Sequence, residues 1–187
     1  MVVPLMKKSK NRQIVIVGAG LIGSIMAIAL ASEGFDVTVV DGATEKDRIK
    51  QNEGRTYALS RTSKKLLANL GLWDAKKLNV SPIENIVLST KSGFDDNIKH
   101  LAAFNKESSE VEPSSYMIED FYLRTVLGSK LNTNTKIQLI NSTEVIQDET
   151  TSYETKLMLS DKSSFTTEIL ITVSYTHLTL PTNTTVL

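Results

Sequence analysis

Between Gln13 and Asp41 the chain reads QIVIVGAGLIGSIMAIALASEGFDVTVVD. An apolar run over 14–17 leads into three glycines at the spacing G-x-G-x-x-G: Gly18, Gly20 and Gly23. A small-residue helix is expected over 21–32, then a second apolar strand over 37–40 that ends on Asp41. Gly18 allows a tight turn off the strand. Gly20 lets the main chain approach a pyrophosphate with no Cβ in the way, and Gly23 lets the helix pack close to the strand. The helix N-terminus aims N–H groups and the positive end of its dipole at phosphate oxygens. Gly18, Ala19, Gly20, Leu21, Ile22 and Gly23 are therefore candidate binding residues. Asp41, at the tip of the second strand, is placed to accept hydrogen bonds from ribose hydroxyls. The stretch predicts a β-α-β unit for the ADP half of a dinucleotide. It does not separate NAD from FAD, and it names no reaction.

The same stretch could be mistaken for an export signal or a membrane span. Residues 14–32 carry no charge and follow a basic head of Lys7, Lys8, Lys10 and Arg12. The glycine spacing and the second strand ending on Asp41 are superfluous for a signal and necessary for a nucleotide fold, so a cytoplasmic protein is expected. At 187 residues the chain can bury a core. Its formal net charge of +0 gives no reason to expect a nucleic-acid partner. With no cysteine it has no disulfide, thiolate zinc site or thiol nucleophile. His100 and His177 lack metal-ligand spacing and read as ordinary surface residues; no metal site is expected.

Residues 1–12 read as a flexible start. Residues 42–54 are polar and bounded by glycine, and read as a loop. A helix follows, with Ser60 as N-cap, Leu66, Leu67 and Leu70 on one face, and Gly71 to stop it. Trp73 reads as a packing residue over that helix end. Residues 83–90 read as one strand, with a returning strand near 99–104. The segment 116–118 is short and extended, and 120–131 is a helix with Leu123, Val126, Leu127 and Leu131 inward. Strands are expected over 136–140, 142–147, 153–160 and 164–172, the last three forming a meander with turns at 148–152 and 161–163. Tyr153, Thr155, Leu157 and Leu159 share one face in this pattern. A meander appended to a β-α-β unit suits a flavin-type fold better than a plain NAD domain, which would continue with a strand soon after Asp41.

Three blocks carry a resemblance to a known family. The first is the run from Ile14 to Asp41. The second is Gly54-Arg55-Thr56-Tyr57-Ala58-Leu59-Ser60 with Ser63 and Leu70-Gly71-Leu72-Trp73. The third is Tyr116-Met117-Ile118-Glu119-Asp120 with Leu123, where the family commonly has asparagine in place of Asp120. With these blocks the chain resembles the FAD-dependent aromatic-ring hydroxylases of ubiquinone biosynthesis, the 2-octaprenylphenol-type monooxygenases related to para-hydroxybenzoate hydroxylase. The resemblance spans about 13–172, roughly the first half of a family member.

The resemblance implies an α/β fold: a Rossmann-like FAD-binding fold with an inserted β-sheet and meander, truncated here. It implies an FAD-binding domain over 13–172 that includes the start of a substrate-domain sheet. FAD is the implied cofactor, NADPH or NADH the reductant, and a polyprenylated phenol and O₂ the reactants. Peripheral association with the inner face of the membrane, or with a ubiquinone-biosynthesis complex, follows from a lipid substrate. Arg55 is implied to lie against the FAD pyrophosphate or ribose, where a guanidinium bonds phosphate in a forked geometry. No catalytic side chain is assigned, because the flavin carries the chemistry. Residues 173–187 are threonine-rich and patternless and resemble translated adapter sequence, so a non-native tail and an inactive fragment are expected. Three other readings stay open: another FAD-dependent oxidoreductase of the amine or amino-acid oxidase type, a non-catalytic nucleotide-binding module, and a plain NAD-dependent dehydrogenase.

Overall fold

The computed structural model describes residues 10–50, 54–91, 98–105 and 112–173, apart from the side chains of 10–12, 91, 98–100, 104 and 105. His177, the His100 side chain and the tail after Val173 lie outside that description. The first elements are β1 (Lys10–Val17), α1 (Leu21–Ser32), β2 (Val37–Val40), α2 (Glu45–Lys50), β3 (Thr56–Ser60) and α3 (Arg61–Asn69). They are followed by β4 (Ser81–Ile83), β5 (Asn85–Lys91), β6 (Ile98–Asn105), β7 (Ser115–Glu119) and α4 (Asp120–Thr133). The last are β8 (Ile137–Ile140), β9 (Val145–Thr150), β10 (Thr155–Leu159) and β11 (Ser164–Thr172). The chain divides into two compact units, Met1–Glu45 with Leu131–Leu187, and Lys46–Lys130.

The first unit is built on a six-stranded sheet in the order β8-β2-β1-β11-β10-β9. β8, β2, β1 and β11 run parallel. β10 and β9 continue the sheet antiparallel. The sequence shows this change of environment. All four residues of β2 are buried, as expected of a parallel strand covered on both faces. In β10, buried Thr155, Leu157 and Leu159 alternate with exposed Lys156 and Met158, as expected of a strand with one wet face. Val15, Val40, Leu157, Leu159 and Phe165 form one core, with Ile140, Val145 and Leu170 packed on it. α1 lies along β1, β2 and β8.

The second unit holds a three-stranded sheet, β3-β7-β4, and a β5-β6 ribbon, all antiparallel pairs. α3 begins as expected, with Ser60 Oγ accepting from Ser63 N–H at 3.2 Å. It ends at Gly71, whose φ of +67° is left-handed. Among the described residues no helix is long and apolar enough to cross a membrane.

Several expectations need correction. β1 begins at Lys10 rather than Gln13, because Lys10, Asn11 and Arg12 pair with the long β11. The loop expected over 42–54 contains α2, a short polar helix that hides one charged residue, Arg48. Leu66 is exposed and only Leu67 of the three leucines is buried outright, since a nine-residue helix covers a narrow strip. The strand expected over 83–90 is two, because β4 pairs with β7 while β5 pairs with β6. β9 runs on to Thr150, so the turn falls at 151–154 and leaves Tyr153 89% exposed. There Thr151 N–H donates to the Glu154 carbonyl at 2.9 Å, closing a hairpin that throws Tyr153 outward.

Candidate dinucleotide-binding site

β1 delivers the chain to Gly18, which turns with φ +106°, a conformation that favours glycine. Its N–H donates to the Val40 carbonyl at 2.8 Å, so the turn is fastened to the end of β2. Gly23 is compulsory for a different reason. A Cβ there would stand 1.9 Å from the Gly18 carbonyl oxygen. The expected close approach of helix and strand is therefore a steric fact.

Gly20 is neither strained nor crowded. It is the N-cap of α1 at φ −66° and ψ −174°, ordinary extended backbone. A Cβ on it would meet nothing within 4 Å. The protein's own packing gives no reason for glycine there, whereas a ligand lying against the main chain would. α1 has no side-chain cap and no acid in its first turn. Its leading N–H groups and positive dipole end suit an anion at Gly20, Leu21 and Ile22. Ile22, 65% exposed, stands at the mouth of this cradle. The residues present fit a pyrophosphate.

The structure brings Asp41 to the same loop. Its Oδ2 accepts from Ala19 N–H at 2.5 Å and its Oδ1 from Ala43 N–H at 2.8 Å. The acid expected to read a ribose is thus oriented by two main-chain donors, one of them inside the glycine motif. Arg55 belongs to the Lys46–Lys130 unit, just before β3, with an exposed side chain. Its carbonyl accepts from Asp120 N–H at 2.8 Å.

Asp120 is fully buried. Its Oδ1 accepts from Tyr57 Oη–H at 2.8 Å and its Oδ2 from Arg124 Nε–H at 2.6 Å. Arg124 escaped the reading of the sequence. The signal that could have found it is the i, i+4 spacing of opposite charges on a helix.

A second cluster in that unit fixes the segment before β7. Lys64 Nζ donates to Glu112 Oε1 at 2.8 Å and to Tyr116 Oη at 3.1 Å, and lies 4.9 Å from the Tyr116 ring centroid. Hydrogen bonds to Glu112 and then to Tyr116 raise the Lys64 pKa, and the bond to Lys64 lowers that of Glu112. Trp73 meets Tyr116 edge to face at 5.2 Å, as a packing residue would. A cavity of about 530 Å³ is lined by Gln13, Asp36, Thr38, Lys136 and Gln138. It lies at the amino ends of β2 and β8, whereas ligands of open α/β sheets bind at the carboxyl ends, where Gly18 and Asp41 stand.

The family model of ketopantoate reductase PanE/ApbA matches residues 14–112. Ubiquinone hydroxylase UbiL of Rhodospirillum rubrum is 31% identical over 123 residues, covering 65% of this chain and 27% of that protein. The 3-demethoxyubiquinol 3-hydroxylase of Escherichia coli is 29% identical over 130 residues, covering 68% of this chain and 32% of that one. The chain thus spans about a third or less of these relatives. Among solved structures, p-nitrophenol 4-monooxygenase PnpA of Pseudomonas putida matches with a TM-score of 0.66 at 14% identity, over 89% of this chain and 41% of that one. The flavin-dependent monooxygenase PieE, solved with FAD and substrate, matches with a TM-score of 0.61 at 18% identity, over 86% of this chain and 29% of that one. The reductase match covers the β1–α1–β2 unit and continues beyond it. The reductase match stops at residue 112, before β8 and the meander. The monooxygenase structures match over most of the chain, so the likeness of fold to them reaches beyond the reductase match.

Proposed function

We propose that the chain is part of an FAD-dependent aromatic-ring hydroxylase of ubiquinone biosynthesis, like the two hydroxylases it is similar to, and that its whole protein hydroxylates the aromatic ring of a polyprenylated ubiquinone precursor. The observation that carries this reading is the cradle at Gly20: open space before an uncapped helix end, within a fold shared with FAD-dependent monooxygenases. Gly18, Ala19, Gly20, Leu21, Ile22 and Gly23 hold the pyrophosphate by main-chain N–H groups and by leaving room for it. Asp41 takes the ribose hydroxyls, and Arg55 adds a fixed positive charge against the pyrophosphate or ribose. When bound, FAD supplies the oxygen-activating chemistry, with NADPH or NADH as reductant and O₂ as oxidant. This portion of the chain binds and orients the cofactor. A polyprenyl tail on the substrate calls for a cytoplasmic protein working at the membrane surface, alone or in a ubiquinone-biosynthesis complex. The 187-residue chain by itself is inactive and holds FAD weakly or not at all.

Flavin absorbance of the purified whole protein and of the isolated chain tests this. The whole protein should be yellow and should consume NAD(P)H and O₂ when given a polyprenylated phenol. Gly20→Val or Arg55→Ala should lower its FAD content. A colourless whole protein that binds only nicotinamide would favour a reductase, the second reading raised by the PanE/ApbA match. Tightly held stoichiometric FAD on the 187-residue chain would overturn the proposed inactivity.

A further inference from the structure

Glu144 lies in the same compact unit as the glycine motif and Asp41. It follows β8, whose carboxyl end is brought beside that of β2 by the pairing of Val40 with Ile140. The segment after β8 is fastened to Asp41 on both sides. Asp41 N–H donates to the Ile140 carbonyl at 2.9 Å, and Thr143 N–H donates to the Asp41 carbonyl at 3.1 Å. Ser160 then holds the main chain of Glu144. The Glu144 N–H donates to Ser160 Oγ at 3.1 Å, and the Glu144 carbonyl accepts from Ser160 N–H at 2.9 Å. The backbone that carries Glu144 is thus fixed against the tip of β2.

The side chain of Glu144 lies across Gly42. A Cβ on Gly42 would stand 2.9 Å from Glu144 Cγ and 2.9 Å from Glu144 Oε1. Gly42 separates Asp41 from Ala43, whose N–H donates to Asp41 Oδ1 at 2.8 Å. The other Asp41 oxygen reaches back to Ala19 N–H in the glycine motif. A second, exposed carboxylate therefore borders the acid that is assigned to the ribose hydroxyls. Free hydroxyls are donors and suit such a neighbour. A phosphate on the 2′ oxygen is not suited, because it brings close to two negative charges and acceptor oxygens against an acid. Folds of this kind that take a 2′-phosphate place an arginine nearby; this one places Glu144.

We propose that Glu144 is a specificity-determining residue that, with Asp41, keeps 2′-phosphorylated adenosine nucleotides out of the Gly18–Gly23 cradle. The inference rests on the reading of that cradle as an ADP site and goes beyond it, because it adds an acid from outside the glycine motif and states what the cradle refuses. The refusal matters for an enzyme whose reductant is NADPH. NADPH and FAD each carry an ADP half, and only the former has a 2′-phosphate. A filter at the ribose keeps the reductant from occupying the cofactor's place.

Competition on the whole apoprotein tests this, with FAD rebinding read by flavin fluorescence and with ADP-ribose and 2′-phospho-ADP-ribose as the matched competitors. In the wild type the phosphorylated competitor should be weaker by about tenfold or more, as like charges brought together require. Glu144→Gln should narrow that ratio about fivefold, a modest change because the group is exposed and screened by salt. Glu144→Lys should narrow it further or reverse it. The ratio is the readout because a merely structural loss would weaken both competitors alike. An unmoved ratio in both variants, or equal competition by the two compounds in the wild type, would overturn the inference. Failure of ADP-ribose to compete with FAD at all would instead overturn the reading of the cradle, and the inference with it.

Discussion

Asp41 and Asp120 each stand just beyond the end of a strand, and the chain treats them in opposite ways. Asp41 follows β2, is half-buried, and accepts from the main-chain N–H groups of Ala19 and Ala43. Asp120 follows β7, is fully buried, and accepts from the side chains of Tyr57 and Arg124. The first acid belongs to a site made of backbone, where side chains matter mainly by being absent. The second belongs to a site made of side chains, where each partner is an identity that substitution can erase. A backbone site is readable from glycine spacing. A side-chain site is found only when the fold brings distant residues together.

The contrast can be broken by experiments on the whole protein, and the largest effect belongs to the backbone site. Gly23→Val puts a Cβ against the Gly18 carbonyl oxygen and should cost about 4 kcal/mol or abolish folding, as seen in thermal denaturation. Gly20→Ala, at an open position, should cost less than about 1 kcal/mol. Equal losses at the two glycines would show that Gly20 is structural after all.

Next in size, Arg124→Met leaves the Asp120 carboxylate buried without its charged partner and should cost about 3 kcal/mol in denaturant titration. Asp120→Asn added to Arg124→Met should recover part of that loss. Failure to recover would mean that Arg124 acts by packing and that the side-chain site is not ionic. A smaller loss, about 1–2 kcal/mol, is expected for Asp41→Asn, whose amide must turn a donor toward one of two backbone donors.

The smallest effect is one of pH. Glu112 is depressed from its ordinary 4.5 by Lys64, so its contribution to stability is present above pH 4.5 and is lost as pH falls through the lower folded value. Lys64 is raised from 10.5, so its contribution is present below pH 10.5 and is lost as pH climbs through the higher folded value. Both groups reach solvent, and the effect should shrink in high salt. Thermal midpoints of Glu112→Gln against wild type at pH 3 and pH 7 would check the acid limb, with the larger difference at pH 7.

Much of the first unit was legible. Gly18, Gly23 and Asp41 lie where their spacing put them, because the constraints on them are local: one turn, one helix packed on one strand, one strand tip. The meander was legible from period-two alternation, although Tyr153 joined the wrong side because a hairpin turn looks like more strand when its residues are β-formers. α2 was missed because five charged residues and a lone Ile49, with Arg48 inward, have no apolar period to read. The cluster of Asp120, Tyr57 and Arg124 was visible only in part. Asp120 and Tyr57 are far apart in the chain, and nothing short-range announces that their side chains meet.

The sequence by itself determined a β-α-β unit with a main-chain anion cradle, since glycines at Gly18, Gly20 and Gly23 before a helix leave few other conformations. Tertiary structure decided the rest. It set β11 parallel to β1 and β8 beside β2, so that strands a hundred or more residues apart complete one sheet. It also buried Asp120 with two partners. Local sequence fixes backbone angles and the periodicity of side chains. Which strand lies beside which, and which charge finds a partner out of water, depends on long-range packing that no short stretch encodes.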